Sequence, residues 1–242
     1  MIIAVYYIAL DQSPHYREIA ELSVASAVRA NPGARVLHAR NPQTEPIKAA
    51  HGEMVMDVPP TPEEVVVGKA AFTCWLGKHA EENWAMVDAD VIHRKPIEPL
   101  LDGCAVALLR RGYPIMIVNT GLIVGRPGHP QFWEYYETAI SSLVMPLGDS
   151  LPPVCHPWWC EQLAFSGMVG SLSIGDVEVM DAKVRLYEMA DVLPAAKDRE
   201  DLATLPGVGI HFKGRAKERM ARFAKEAMSE TTTDIGGPKQ AA

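Results

Sequence analysis

A short apolar run that ends in acid is the most constraining feature of this chain. Trp84-Ala85-Met86-Val87-Asp88-Ala89-Asp90-Val91-Ile92 is too brief for a globular helix, reaches two carboxylates and then resumes with β-branched residues. Such a pattern reads as a buried strand arriving at its end. Strand side chains alternate faces, so Asp88 and Asp90 are expected to point one way and Ala89 the other. Two carboxylates on one face repel each other unless a cation lies between them, and oxygen ligands of that kind suit Mg²⁺ or Mn²⁺. The triplet alone says little, because Asp-x-Asp arises by chance in about one of two chains this rich in aspartate. Its weight comes from the hydrophobic approach and from a second motif far downstream.

The chain has 242 residues, 48% hydrophobic and 22% charged, enough for one large domain or one domain with a small lobe. A formal charge of −7 argues against general affinity for nucleic acid or anionic membrane, though a local basic pocket for phosphate remains compatible with it. Met1 to Leu10 has no basic leader and no cleavage site, and is too short to span a bilayer. It reads as a first core strand, and the expected setting is the cytoplasm with reduced thiols. The cysteines are Cys74, Cys104, Cys155 and Cys160. Cys155-His156-Pro157-Trp158-Trp159-Cys160 offers at most three zinc ligands at no standard spacing, so buried inert thiols are the expectation.

Strand and helix signals alternate along the chain. A strand over Ile2–Ala9, a helix from Tyr16 to Ala30 stopped by Asn31-Pro32-Gly33, and a strand over Ala34–Ala39 make an opening β-α-β unit, with Ser13-Pro14 as the helix start. A proline-rich excursion over 41–62 holds one small strand near Met54-Val55-Met56. Thr61-Pro62-Glu63-Glu64 then has the cap, proline and acid of a helix start, and the helix over Val65–Lys78 carries Lys69. Further strands are expected over Ala105–Leu109 and Ile115–Val124. The second is interrupted by Asn119-Thr120-Gly121, which marks a bulge or a close backbone approach. Gln131–Leu143 forms an amphipathic helix whose Trp133, Tyr135 and Tyr136 are expected in the core. A short helix over Trp158–Phe165, weak strands within 171–187, a polar linker over 194–206 and a basic helix to Met228 complete the reading. The class is α/β.

The downstream motif is His211-x-x-Gly214-x-x-Lys217, a spacing expected by chance in about one chain in forty. Its residue types belong together chemically. An imidazole can complete a carboxylate metal site and shifts the preference from Mg²⁺ toward Mn²⁺. Gly214 lets backbone N–H groups approach an anion, and Lys217 lies in the first turn of a helix whose amides favour phosphate. A satisfied structural histidine is the competing reading.

With the opening β-α-β unit, the Val87-Asp88-Ala89-Asp90-Val91 strand end, Asn119-Thr120-Gly121, Glu161-Gln162 and the His-x-x-Gly-x-x-Lys motif in this order, residues 1–220 resemble the GT-A glycosyltransferases. The likeness is to the glycogenin and lipopolysaccharide-galactosyltransferase group, which retains anomeric configuration. It implies a GT-A-type, Rossmann-like domain over 1–229 with a mixed, mainly parallel central sheet flanked by helices, while the residues over 230–242 read from their own composition as a disordered tail. It further implies that Asp88, Asp90 and His211 hold Mn²⁺ (or Mg²⁺) against the diphosphate of a nucleotide-sugar, commonly a UDP-sugar, for transfer to a glycan, protein or small-molecule acceptor. Ala9, Asp11 and Tyr16 fall where the family binds the nucleoside, and Lys69, Asp88, Ala89 and Thr120 fall in the donor pocket. Gly214 and Lys217 fall at the phosphates. Asn119, Glu161 and Gln162 fall in the catalytic positions around the sugar, with glutamate at 161 where the family usually has aspartate.

Two other functions share parts of this pattern. A sugar-phosphate nucleotidyltransferase also opens β-α-β, but it needs a glycine-rich loop where this chain has Ala9-Leu10-Asp11-Gln12-Ser13-Pro14. A non-catalytic nucleotide-sugar-binding module would keep the fold without turnover.

Overall fold

The computed structural model describes residues 1–10, 16–112, 116–144, 157–170, 174–196, 202–213, 216–217, 219–220 and 222–223. The expected domain limit at 229, the tail over 230–242, the Ser13-Pro14 helix start and the Cys155-His156 pair lie outside these residues. The chain opens with β1 (Ile2–Tyr6), α1 (Tyr16–Ala30) and β2 (Arg35–Arg40), then β3 (Gly52–Val55), α2 (Pro62–His79), β4 (Trp84–Asp88) and β5 (Val91–His93). After these come β6 (Val106–Arg110), β7 (Val118–Gly125), α3 (Pro130–Val144), α4 (Pro157–Val169), β8 (Gly175–Val179), β9 (Ala182–Glu188), the single turn α5 (Met189–Val192) and β10 (Gly209–His211).

One sheet runs in the order β3-β2-β1-β4-β7-β6-β9-β8. The first four of these strands are mutually parallel, β7 is antiparallel to both β4 and β6, β9 is parallel to β6, and β8 is antiparallel to β9. The class is α/β with a mixed, mainly parallel sheet flanked by helices, as the sequence predicts. From β1 the chain builds outward through β2 and β3, then returns to lay β4 along the other side of β1. That reversal opens a crevice beyond the carboxyl ends of β1 and β4, where open α/β sheets take their ligands.

Alternation in the first strand feeds both faces of the sheet. Ile2, Ala4 and Tyr6 join Phe72, Phe132 and Phe165 in the core beneath α2, α3 and α4, while Ile3, Val5 and Tyr7 pack with Ala20 and Val24 of α1. Trp133 and Tyr136 are fully buried, with the Tyr136 and Phe165 rings stacked at 4.1 Å. Tyr135 departs from the expectation, because one turn of α3 faces it outward at 39% exposure. Thr61 caps α2 by accepting from the Glu64 N–H at 3.3 Å. Among the described residues no helix is long and apolar enough to cross a membrane.

Three sequence expectations need correction. Trp84–Ile92 is not one strand: the chain turns at Ala89-Asp90, so β4 and β5 belong to different sheets. Asn119-Thr120-Gly121 does not interrupt β7 but lies inside it. The ladder to β6 does slip register there, between the Ala107–Val124 and Leu109–Asn119 pairs, which is the irregularity the polar triplet foretells. The segment over 194–206 is more than a linker, since Ala195 bridges to His211 and Leu202 is buried. It supports β10, which pairs antiparallel with β5 as Gly209–His93, Ile210–Ile92 and His211–Val91. Ile92, Ile210, Phe212, Met220 and Phe223 form a smaller separate core there with Ile19 of α1.

Two buried histidines make this fold acid-sensitive. His93 is 1% exposed with no hydrogen-bond partner for either ring nitrogen among the described residues, and burial pushes its pKa down from 6.5 to about 4. Burial also lowers His38 to about 4, against the opposing effect of its hydrogen bond with the Tyr7 carbonyl. Both folded values lie below the unfolded one, so between these limits the unfolded chain binds the extra protons and stability is lost as pH falls. Denaturant titrations at pH 7 and pH 4.5 should show His93→Leu losing about 1–3 kcal/mol less on acidification than the unaltered chain.

Candidate functional site

The carboxyl ends of β1 and β4 open into a cavity of about 500 Å³. Asp88 is the last residue of β4 and pairs in register with Tyr6 at the end of β1. Asp90 sits in the turn that follows, 9% exposed, and its carbonyl accepts from the Phe212 N–H at 2.8 Å. The β5–β10 ladder therefore delivers His211 beside it. His211 Nε2 lies 3.0 Å from Asp90 Oδ1 and 3.8 Å from Asp88 Oδ2, and one ligand atom from each of the three residues falls within 4.8 Å of the others. The turn, not strand alternation, brings the two carboxylates together.

Two glycines allow this approach. A Cβ on Gly209 would stand 2.8 Å from the Ile92 carbonyl and prise β10 off β5. A Cβ on Gly121 would stand 2.6 Å from His211 Cε1, so the imidazole packs directly on the backbone of β7. Asn119 fixes that backbone, its Oδ1 accepting from the Gly121 N–H at 3.1 Å.

The three residues fit a divalent cation. Asp90 Oδ1 is buried without a hydrogen-bond partner among the described residues, although it faces an imidazole nitrogen at 3.0 Å. A buried carboxylate oxygen in that position is costly unless something positive meets it. Burial alone would raise the Asp90 pKa, but His211 and Lys217 outweigh it and hold the carboxyl well below its usual range.

Lysines supply the remaining charge. Lys217 Nζ lies 2.8 Å from Asp90 Oδ2, donates to the Tyr16 hydroxyl at 2.8 Å, and sits 4.4 Å from the centroid of that ring. Lys69 is buried on α2, with Nζ 2.6 Å from Asp88 Oδ1 and 3.1 Å from Glu161 Oε2, and it donates to the Thr120 carbonyl at 2.5 Å. Burial works against its charge, yet Asp88 and Glu161 dominate and raise its pKa. Burial is also the main reason the Glu161 pKa is raised, with Lys69 opposing.

Tyr16, Lys69, Asp88, Ala89, Asp90, Thr120, Glu161, Gln162 and Lys217 all border the cavity. The Gln162 Oε1 is buried with no partner among the described residues. His211 completes the cation cluster behind the wall. Asn119 is not on the cavity wall, since its side chain serves Gly121. The Ala9 N–H donates to Thr44 Oγ1 at 2.9 Å, and Ala9 is flanked by the cavity residues Ile8 and Leu10. Asp11 and Gly214 lie outside the described residues. Sequence reasoning missed Tyr6 and Thr73. Tyr6 borders the cavity and its hydroxyl donates to the Val65 carbonyl, and Thr73 Oγ1 lies 3.4 Å from Glu161 Oε1. Thr73 was discoverable, because a residue four after Lys69 shares its helix face.

No protein-family model and no curated protein matches the chain in sequence. Solved structures do match in shape. One is a glycosyltransferase involved in glycosylation of the major capsid of PBCV-1, with a TM-score of 0.56 and 11% identity, covering 91% of this chain and 100% of that one. This is the GT-A fold. Galactosyltransferase LgtC in complex with donor and acceptor sugar analogs matches with a TM-score of 0.53 and 15% identity over 99% of this chain and 98% of that one. An active-site mutant of LgtC matches with a TM-score of 0.51 and 14% identity over the same shares. At such identities the likeness is one of GT-A architecture, and function has to be argued from the site.

Gly121→Ala should test the cation cluster without touching a ligand. The added methyl displaces the imidazole, so Mn²⁺ affinity measured by calorimetry should fall about tenfold or more, while circular dichroism keeps the signature of the folded chain.

Proposed function

We propose that this protein is a divalent-metal-dependent glycosyltransferase that takes a sugar from a nucleotide-diphosphate sugar, UDP-linked by preference, and passes it to an acceptor with retention of configuration. The observation that carries this reading is the convergence of Asp88, Asp90 and His211 within 4.8 Å beside a cavity of about 500 Å³. It lies at the carboxyl edge of a sheet whose architecture is shared with known glycosyltransferases. A cavity of that size admits a ligand of nucleotide-sugar dimensions.

In this reading Asp88, Asp90 and His211 hold Mn²⁺ or Mg²⁺. When bound, the cation acts as a Lewis acid on the diphosphate oxygens. The chain's own residues do the rest. Breaking the bond between the anomeric carbon and the diphosphate oxygen leaves negative charge on the departing group. Lys217, held at the cavity wall by Asp90 and Tyr16, meets that charge where it grows. Gln162 borders the cavity, and in this reading its side-chain amide stands beside the developing positive charge of the sugar ring. Ile8 and Leu10 beyond β1, with Val65 and Val66 of α2, give the cavity an apolar side against which a base or ring can lie.

The test is donor hydrolysis over a panel of nucleotide-sugars, with and without Mn²⁺. Asp90→Ala and His211→Ala are each expected to lower metal-dependent turnover by about a hundredfold or more. Lys217→Ala should weaken UDP binding about tenfold. Metal-independent donor binding without turnover, unchanged in Asp90→Ala, would instead identify a non-catalytic binding module.

A further inference from the structure

Glu161 occupies a position where a carboxylate touching the sugar would be expected, but its surroundings give it different work. Its side chain is 5% exposed, against 31% for Asp88. Oε2 lies 3.1 Å from Lys69 Nζ, Oε1 lies 3.4 Å from Thr73 Oγ1, and the Thr120 side chain of β7 also hydrogen-bonds to the carboxylate, so its oxygens are engaged by the protein itself. The Lys69 ammonium has three donors and three partners: Asp88 Oδ1 from β4, Glu161 Oε2 from α4 and the Thr120 carbonyl from β7. Its position is therefore set from three elements at once, and two of those partners are carboxylates that share one positive charge.

We propose that Glu161 is a positioning residue, which shares the single charge of Lys69 with Asp88 so that Asp88 is not fully neutralised and keeps negative charge for the cation. Asp88, Lys69 and Glu161 together carry one net negative charge. Replacing Glu161 by a neutral residue leaves the ammonium paired to Asp88 alone, and the set becomes neutral toward an incoming cation. That loss of attraction is felt most in a partly buried site, where solvent screens least. Glu161 thus acts through Lys69 on the cation cluster, and not as a group that contacts the sugar. This rests on the metal-dependent reading above.

The experiment measures Mn²⁺ binding by calorimetry and by the spin-resonance signal of free Mn²⁺, in the absence of any donor. Glu161→Gln, nearly isosteric, is expected to bind Mn²⁺ at least about tenfold more weakly, with folding checked by thermal unfolding. The paired variant Lys69→Met with Glu161→Gln removes both compensating charges and restores the single negative charge on Asp88. Its Mn²⁺ affinity should return to within about threefold of the unaltered chain. Unaltered Mn²⁺ affinity in Glu161→Gln, with sugar transfer alone abolished, would overturn the proposal and make Glu161 a catalytic residue. Failure of the paired variant to recover would overturn it too. If the unaltered chain binds no Mn²⁺, the metal-dependent function falls with it, an outcome distinct from either of these.

Discussion

The pairing of β5 with β10 is three residues long, yet the candidate site cannot be assembled without it. β5 begins one residue after Asp90, and β10 ends on His211, so the ladder register alone decides that imidazole and carboxylate face each other. The Phe212 N–H closes on the Asp90 carbonyl and fixes the turn from the other side. A slip of one residue would turn His211 to the opposite face. The glycine at 209 makes the slip unnecessary, since it lets the two backbones come close enough for the ladder to form in register.

Around that ladder the site balances charge in a confined space. Asp88, Asp90 and Glu161 are set against Lys69 and Lys217, and each lysine holds a different member of the aspartate pair. Isolated, any one of these groups would be expensive to bury. Together they form a lattice whose geometry comes from the core: Asp88 from an interior strand, Lys69 from a helix whose second half is buried on one face, and Glu161 from a helix packed on that one. The open side is where substrate charge can enter.

Much of this was legible in the sequence, for identifiable reasons. The β-α-β opening follows from the helix stop at Asn31-Pro32-Gly33 between two apolar runs, and the Thr61 cap from its proline and acid. Asp88, Asp90, His211 and Lys217 stood out because their residue types share one chemistry. What escaped was non-local. Nothing around Gly209-Ile210-His211 announces a strand, because three residues carry too little period to detect and their partner lies far upstream. The turn at Ala89-Asp90 was hidden inside an apolar run, so the right convergence was expected for the wrong geometric reason. Glu161 and Lys69 could be named separately, but their contact depends on how α4 crosses α2, which no local pattern encodes.

The small apolar cluster that carries His211 is separate from the large cores on either face of the sheet. A ligand gripped by both Asp88 and His211 is then a clasp between the large sheet and the two-stranded ladder. By linkage, occupancy should protect β10 and its pairing with β5 against proteases, and local digestion there becomes a gauge of filling.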